Sequence, residues 1–181
     1  MRITGGIFRG RIIRPPANLP VRPTTDFAKT ALFNILNNYF DFETLHVLDL
    51  FAGAGSIGYE FISRGAQSVT CIDENMNCIA FIKKTSAELK MKNMHCFRSD
   101  VFNYIKKANP PSDIIFADPP FELEETDTLP DIVFEKNLLN DGGWLIVEHQ
   151  SKRILNGKAL PFDVRKYGNC AFSMYRKQTI I

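Results

Sequence analysis

A doubly wound α/β sheet is the fold this sequence predicts, and three observations predict it. From residue 45 onward, short apolar runs of strand character alternate with helix-like stretches. A glycine-rich turn directly follows the first of those runs. A proline pair stops another run at the carboxyl edge of the sheet, where α/β proteins bind their ligands. At 181 residues the chain is long enough for one unit with a sizeable core, and it contains no internal repeat or low-complexity tract.

Residues 1–22 read as a small basic β-hairpin extension, with Gly5-Gly6 and Gly10 as turn or bulge points and Pro15-Pro16 near its end. Residues 23–181 form the main domain. A helix is expected from about Asp26 to Tyr39, with Ala28, Ala31, Leu32, Ile35, Leu36 and Tyr39 as its apolar stripe. Leu45 to Phe51 is the first strand, and Gly53, Gly55 and Gly58 after it fit G-x-G-x-x-G. Such a turn lets a ligand approach the backbone at a helix start. The next run, Val69-Thr70-Cys71-Ile72, ends in Asp73, an acid suited to ribose hydroxyls. Met94 to Ser99 ends in Asp100, and Ile114-Ile115-Phe116-Ala117 ends in Asp118-Pro119-Pro120-Phe121. Gly142-Gly143 turns into the strand Trp144-Leu145-Ile146-Val147. Val164-Arg165-Lys166 and Phe172-Ser173-Met174-Tyr175, parted by Gly168-Asn169, read as a terminal hairpin.

The chemistry sits at the ends of these strands. Two successive prolines donate no backbone hydrogen bond and cannot continue a central strand. Asp-Pro-Pro-Phe therefore offers a carboxylate, rigid carbonyls and an aromatic face, a set that can hold a flat heterocycle and accept hydrogen bonds from its exocyclic amine. Asp49, inside the first strand, argues against a nicotinamide cofactor, because its charge would oppose a pyrophosphate at the helix start. A cationic nucleoside would welcome it. S-adenosylmethionine meets that description, with ribose hydroxyls for Asp73, an adenine amine for Asp100 and a positively charged methionine end near Asp49.

Leu48-Asp-Leu-Phe-Ala-Gly-Ala-Gly-Ser-Ile-Gly58 together with Asp118-Pro-Pro-Phe121 resembles the class I methyltransferases that modify amino groups on bases. Met1-Arg-Ile-Thr-Gly-Gly-Ile-Phe-Arg-Gly-Arg11, Arg22-Pro-Thr-Thr-Asp26, Leu32-Phe33-Asn34, Ser63-Arg64-Gly65-Ala66 and Val147-Glu148 narrow the match. They resemble the RsmD-type 16S rRNA guanine-N2 methyltransferases over essentially the whole chain. The resemblance implies a Rossmann-like, seven-stranded sheet whose last hairpin supplies the antiparallel strand. It implies Asp118, Pro119, Pro120 and Phe121 as catalytic residues. Arg22, Thr24, Asp49, Phe51, Gly53, Gly55, Asp73, Asp100 and Val101 would bind S-adenosylmethionine. The implied partner is 16S rRNA, within the small subunit or an assembly intermediate, met by a cytoplasmic monomer. One departure stands out: where the family carries basic residues, this chain has Phe27 and Ala28 before the single Lys29.

Charge is strongly segregated behind a formal net of +2. The stretch before Asp26 holds five arginines and no acid, and the stretch from Ser151 onward carries seven cations against Asp163. Basic ends around an acidic body suggest an RNA-facing rim, with Arg2, Arg9, Arg11 and Arg14 as RNA contacts. Cys71, Cys78, Cys96 and Cys170 form no C-x-x-C pair and read as buried free thiols; His46, His95 and His149 are too dispersed for a metal site. No apolar stretch reaches the length of a membrane span, and Met1-Arg2 opens no signal peptide. The rival readings are a DNA adenine-N6 methyltransferase, which would need a separate DNA-recognition domain, and a glutamine methyltransferase, which would carry Asn before Pro-Pro. A catalytically silent RNA-binding module and a nucleotide-dependent oxidoreductase complete the alternatives.

Overall fold

Apolar side chains on both faces of the central strands decide the architecture. The protein's structure, a computed structural model, describes residues 1–19, 25–107 and 109–178. Seven strands form one sheet: β1 (His46–Leu50), β2 (Ser68–Asp73), β3 (Met94–Arg98), β4 (Ser112–Ala117), β5 (Leu139–Gln150), β6 (Asp163–Tyr167) and β7 (Cys170–Arg176). Their order across the sheet is β3-β2-β1-β4-β5-β7-β6. The first five pair in parallel, and β7 runs antiparallel between β5 and β6. The sheet is therefore the expected Rossmann-like one, with its last hairpin antiparallel.

Alternate residues of each strand face opposite helical layers. Val47, Val69, Ile114, Phe116, Ile146 and Phe172 point to one buried cluster, beneath α1 (Asp26–Leu36), α2 (Ser56–Ser63) and α3 (Met76–Glu88). Leu48, Leu50, Ile72, Ile115, Leu145 and Tyr175 point to the other, beneath α4 (Val101–Ile105) and α5 (Leu129–Glu135). The strand order reverses between β1 and β4, so the connections leaving them diverge and open a crevice at their carboxyl ends.

Two elements differ from expectation. Thr25 caps α1 by accepting the Ala28 N–H (3.2 Å), but the helix stops at Leu36, not Tyr39. Asn37 and Asn38, which favour local turns, close it by donating to Phe33 and Ile35 carbonyls. Tyr39 consequently remains exposed, resting on Trp144, and Ala31 is only half-buried. Phe33 takes the core position, stacked against Phe42 and meeting Phe61 edge-on. The terminal sheet also differs in extent: β5 begins at Leu139, five residues before Trp144, with a register shift against β4.

The N-terminal segment pairs with itself only around the Arg2–Ile12 bridge, and its greater hold is on α2. The Ile7 N–H donates to the Ser63 carbonyl (2.7 Å), the Phe8 N–H to Ser63 Oγ (3.0 Å), and Ser63 Oγ donates to the Gly5 carbonyl. A Cβ on Gly6, whose φ is 74°, would overlap the Ser63 carbonyl, so that glycine serves both a turn and a close approach. Beneath it lies Glu60, fully buried. It accepts from the Thr4 N–H (2.8 Å), Thr4 Oγ1 (2.9 Å) and Arg64 Nε (2.9 Å), and Lys29 Nζ lies 3.4 Å away. Lys29, 1% exposed, also donates to the Arg2 carbonyl and to Ser56 Oγ. Burial pushes its ammonium below the usual lysine range, against the opposing pull of Glu60. The single basic residue after the Arg-Pro-Thr segment is thus an internal strut.

Candidate active site

The chain leaves β1 through a turn with three left-handed residues: Phe51 (φ 60°), Gly53 (φ 54°) and Gly55 (φ 83°). Phenylalanine in that region costs on the order of 1–3 kcal/mol, strain of the kind that gathers at ligand sites. The turn delivers α2 with Gly55 as its N-cap. Gly58 then passes so close to the sheet that a Cβ would press on Met94 and Cys71. Its N–H donates to Asp49 Oδ2 (3.1 Å).

Asp49 is 2% exposed. Burial pushes its carboxyl up to about 8, and the Gly58 hydrogen bond offsets only part of that. Across the crevice Asp73 holds the turn, its Oδ2 accepting the Gly53 N–H (2.8 Å) and its Oδ1 the Asn75 N–H (2.8 Å). Asp100 caps α4 by accepting the Asn103 N–H (2.7 Å). Val101 behind it is buried, and Phe102 meets Phe51 edge-on at 6.4 Å.

On the other side of the reversal, Leu50 pairs with Ala117, so the next residues, Phe51 and Asp118, leave adjacent strands side by side. The Asp118 N–H still reaches the Leu50 carbonyl at 3.4 Å. Arg153, beyond the end of β5, grips the loop that follows. Its guanidinium donates to the carbonyls of Phe121 (2.8 Å) and Leu123 (3.0 Å) and to Asp127 Oδ1 (2.8 Å).

These groups surround one cavity of about 990 Å³. Asp49, Phe51, Gly53, Asp73, Asp100, Val101, Asp118, Pro119, Pro120 and Phe121 line it, whereas Gly55, the N-cap of α2, does not. Arg22 and Thr24 lie outside the described residues. Among the described lining residues are eight acids, including Glu148, and no lysine or arginine. Such a wall disfavours anions and attracts cationic or amine-bearing ligands.

The cations seen in the sequence divide into working groups. Arg9, Arg11 and Arg14 are exposed, and Arg11 and Arg14 border a second cavity of about 560 Å³ with Lys84. Arg2 instead pairs with Asp26 at 3.2 Å. Of the C-terminal set, Arg153 is turned into the loop clamp, and Lys177 donates to the Leu139 carbonyl (2.9 Å) and pairs with Asp141. Both side chains are held by partners within the protein. All four cysteines are buried. Sequence reasoning missed Arg153, Glu148, Asn75 and Tyr167. Only Glu148 leaves a signal there, in the Val147-Glu148 pair of the strand motif.

The family model for "Conserved hypothetical protein 95" matches residues 1–176. Several relatives bear the name ribosomal RNA small subunit methyltransferase D. The one from Escherichia coli K12 is 36% identical over 151 residues, covering 82% of this chain and 71% of the relative. The one from Buchnera aphidicola of Baizongia pistaciae is 34% identical over 131 residues, covering 72% of this chain and 66% of the relative. Among solved structures, the yhhF protein of Escherichia coli superposes with a TM-score of 0.85 at 28% identity, over 99% of both chains. An RNA methyltransferase from Salinibacter ruber, in complex with S-adenosyl-L-homocysteine, shares the fold at a TM-score of 0.69 and 16% identity, over 88% of this chain and 96% of that one.

Proposed function

The chain belongs to the conserved hypothetical protein 95 family of RsmD-type methyltransferases, and on that premise we propose that it methylates the exocyclic N2 amine of a guanine in 16S rRNA, using S-adenosylmethionine. The observation that carries this reading is the acid-walled cavity at the strand-order reversal, with Asp118-Pro119-Pro120-Phe121 on one side and the glycine turn on the other. The names of its relatives support the rRNA, and the S-adenosyl-L-homocysteine held by a protein of the same fold supports the cofactor.

The residues present fit that cofactor. Asp49 is a buried acid with no cationic side chain paired to it among the described residues, Asp73 faces the crevice from the ribose side, and Phe51 and Phe102 give the cavity an aromatic edge. When bound, S-adenosylmethionine supplies an electrophilic methyl group on a sulfonium. The protein's task is then to prepare an amine whose lone pair is delocalised into the base. The Asp118 carboxylate and the Pro119 carbonyl accept hydrogen bonds from the amine N–H groups and draw the lone pair out of the ring plane. Phe121 stacks on the base, and Arg153 keeps the loop in register through the Phe121 carbonyl. Most of the rate gain comes from positioning and electrostatics. A guanine N2 inside a helix is confined to the minor groove, so the nucleotide enters unpaired or flipped.

Incubation with labelled S-adenosylmethionine and 16S rRNA, naked or within the small subunit, followed by mapping of the digest, tests the proposal. One guanine carrying an N2 methyl is the expected product. Label on adenine N6, or none on RNA, would overturn it.

A further inference from the structure

We propose that Phe27 and Tyr167 form a stacking platform for an unpaired RNA base next to the methylated nucleotide; this rests on the RNA reading of the cavity given above. Phe27 stands in the first turn of α1 and is 73% exposed, yet it lines the mouth of the catalytic cavity. Its ring meets Tyr167 edge-on, with centroids 5.9 Å apart and planes at 77°. Tyr167, at the corner of the β6–β7 hairpin, rests in turn on buried Phe172 at 5.7 Å, and Phe172 on Phe116 at 6.3 Å. Phe116 precedes Asp118 by two residues on β4. A continuous aromatic series thus runs from the solvent edge to the catalytic strand, and its inner members hold the outer ones at a fixed height.

A ring so exposed contributes little to the core, and the edge contact with Tyr167 leaves much of its surface open. The platform is one or two rings wide, the size of a nucleobase and too small for a protein interface. Flipping a guanine toward Asp118 strips its neighbour of a stacking partner. An aromatic ring at the cavity mouth replaces that partner, and stacking of this kind tolerates any base because each has a π-face. The acidic wall repels the phosphates from the cavity itself, so the flanking nucleotide needs an uncharged hold at the rim, which these rings provide.

The test compares full-length Phe27→Leu and Phe27→Trp with wild type in methyl transfer to the same rRNA. Leucine keeps the apolar bulk and removes the ring; tryptophan keeps a larger one. Phe27→Leu should raise the KM for RNA roughly tenfold, leave the S-adenosylmethionine affinity and melting temperature unchanged, and be rescued by Phe27→Trp. A wild-type KM in Phe27→Leu would overturn the platform, as would an equal loss of cofactor affinity. Absence of RNA methylation in the wild type would instead overturn the underlying functional reading, so the two failures are separable.

Discussion

The two walls of the cavity are built differently. The wall proposed to hold the cofactor is local: strand, glycine turn and helix follow one another over residues 46–63, and Asp73 closes the turn onto the neighbouring strand. The wall around Asp118 is assembled from a distance, by Arg153 reaching back 32 residues to Phe121 and by aromatic rings from α1 and the last hairpin. Local backbone geometry makes the first wall a rigid receptor, whereas the second depends on side chains that single substitutions can release.

Removing the proposed amine acceptor should break the substrate wall alone and gives the largest effect. Asp118→Ala is expected to lower kcat by about two powers of ten or more, as loss of a transition-state contact does. Calorimetric affinity for S-adenosylmethionine should match wild type. Turnover near wild type would remove Asp118 from the chemistry.

The reciprocal change falls on the cofactor wall. Asp73→Ala should weaken S-adenosylmethionine binding by about 1–3 kcal/mol, since buried hydroxyls lose an acceptor and the Gly53 N–H loses its own. At saturating cofactor, kcat should recover to within a few fold. Unchanged affinity would leave Asp73 as a brace of the turn only.

These two walls also differ in how far they could be read from the sequence. The placement of Leu48–Gly58, Asp73 and Asp100 around the cavity was legible because each lies where a strand ends, and strand periodicity marks strand ends. Asp118-Pro-Pro-Phe was legible for the same reason, as were the sheet and its terminal hairpin. Arg153 was not, because a cation in a basic stretch has the same signature whether it faces RNA or the protein interior. Lys29 shows the same ambiguity: its burial depends on Glu60, which lies 31 positions away on another helix. The early end of α1 was missed because apolar spacing continued to Tyr39 while Asn37 and Asn38 turned the backbone.

Arg153 sharpens the contrast with a smaller effect. Arg153→Gln should lower kcat roughly tenfold by loosening the loop that bears Phe121, with little change in cofactor affinity. Arg153→Lys should recover only part of it, because an ammonium cannot span two carbonyls and a carboxylate as the guanidinium fork does. Equal loss of cofactor affinity in Arg153→Gln would mean that the walls are not independent.

The smallest effect is a pH dependence confined to the cofactor wall. Burial raises the Asp49 carboxyl from 3.8 to about 8, so without cofactor it is protonated at neutral pH. Its contribution to stability is fully present below 3.8 and is lost as pH rises through about 8, because the folded state holds a proton that the unfolded chain has released. A cationic ligand favours the ionised form, so binding S-adenosylmethionine should expel that proton. Affinity should therefore climb severalfold between about pH 7 and 8.5 and then level off. Calorimetry at pH 7 in buffers of different ionisation enthalpy should show proton release, and Asp49→Asn should abolish both the release and the climb. A flat affinity profile in the wild type would show that Asp49 does not meet the cation, and the charge argument for this wall would then rest on Asp73 and its neighbours.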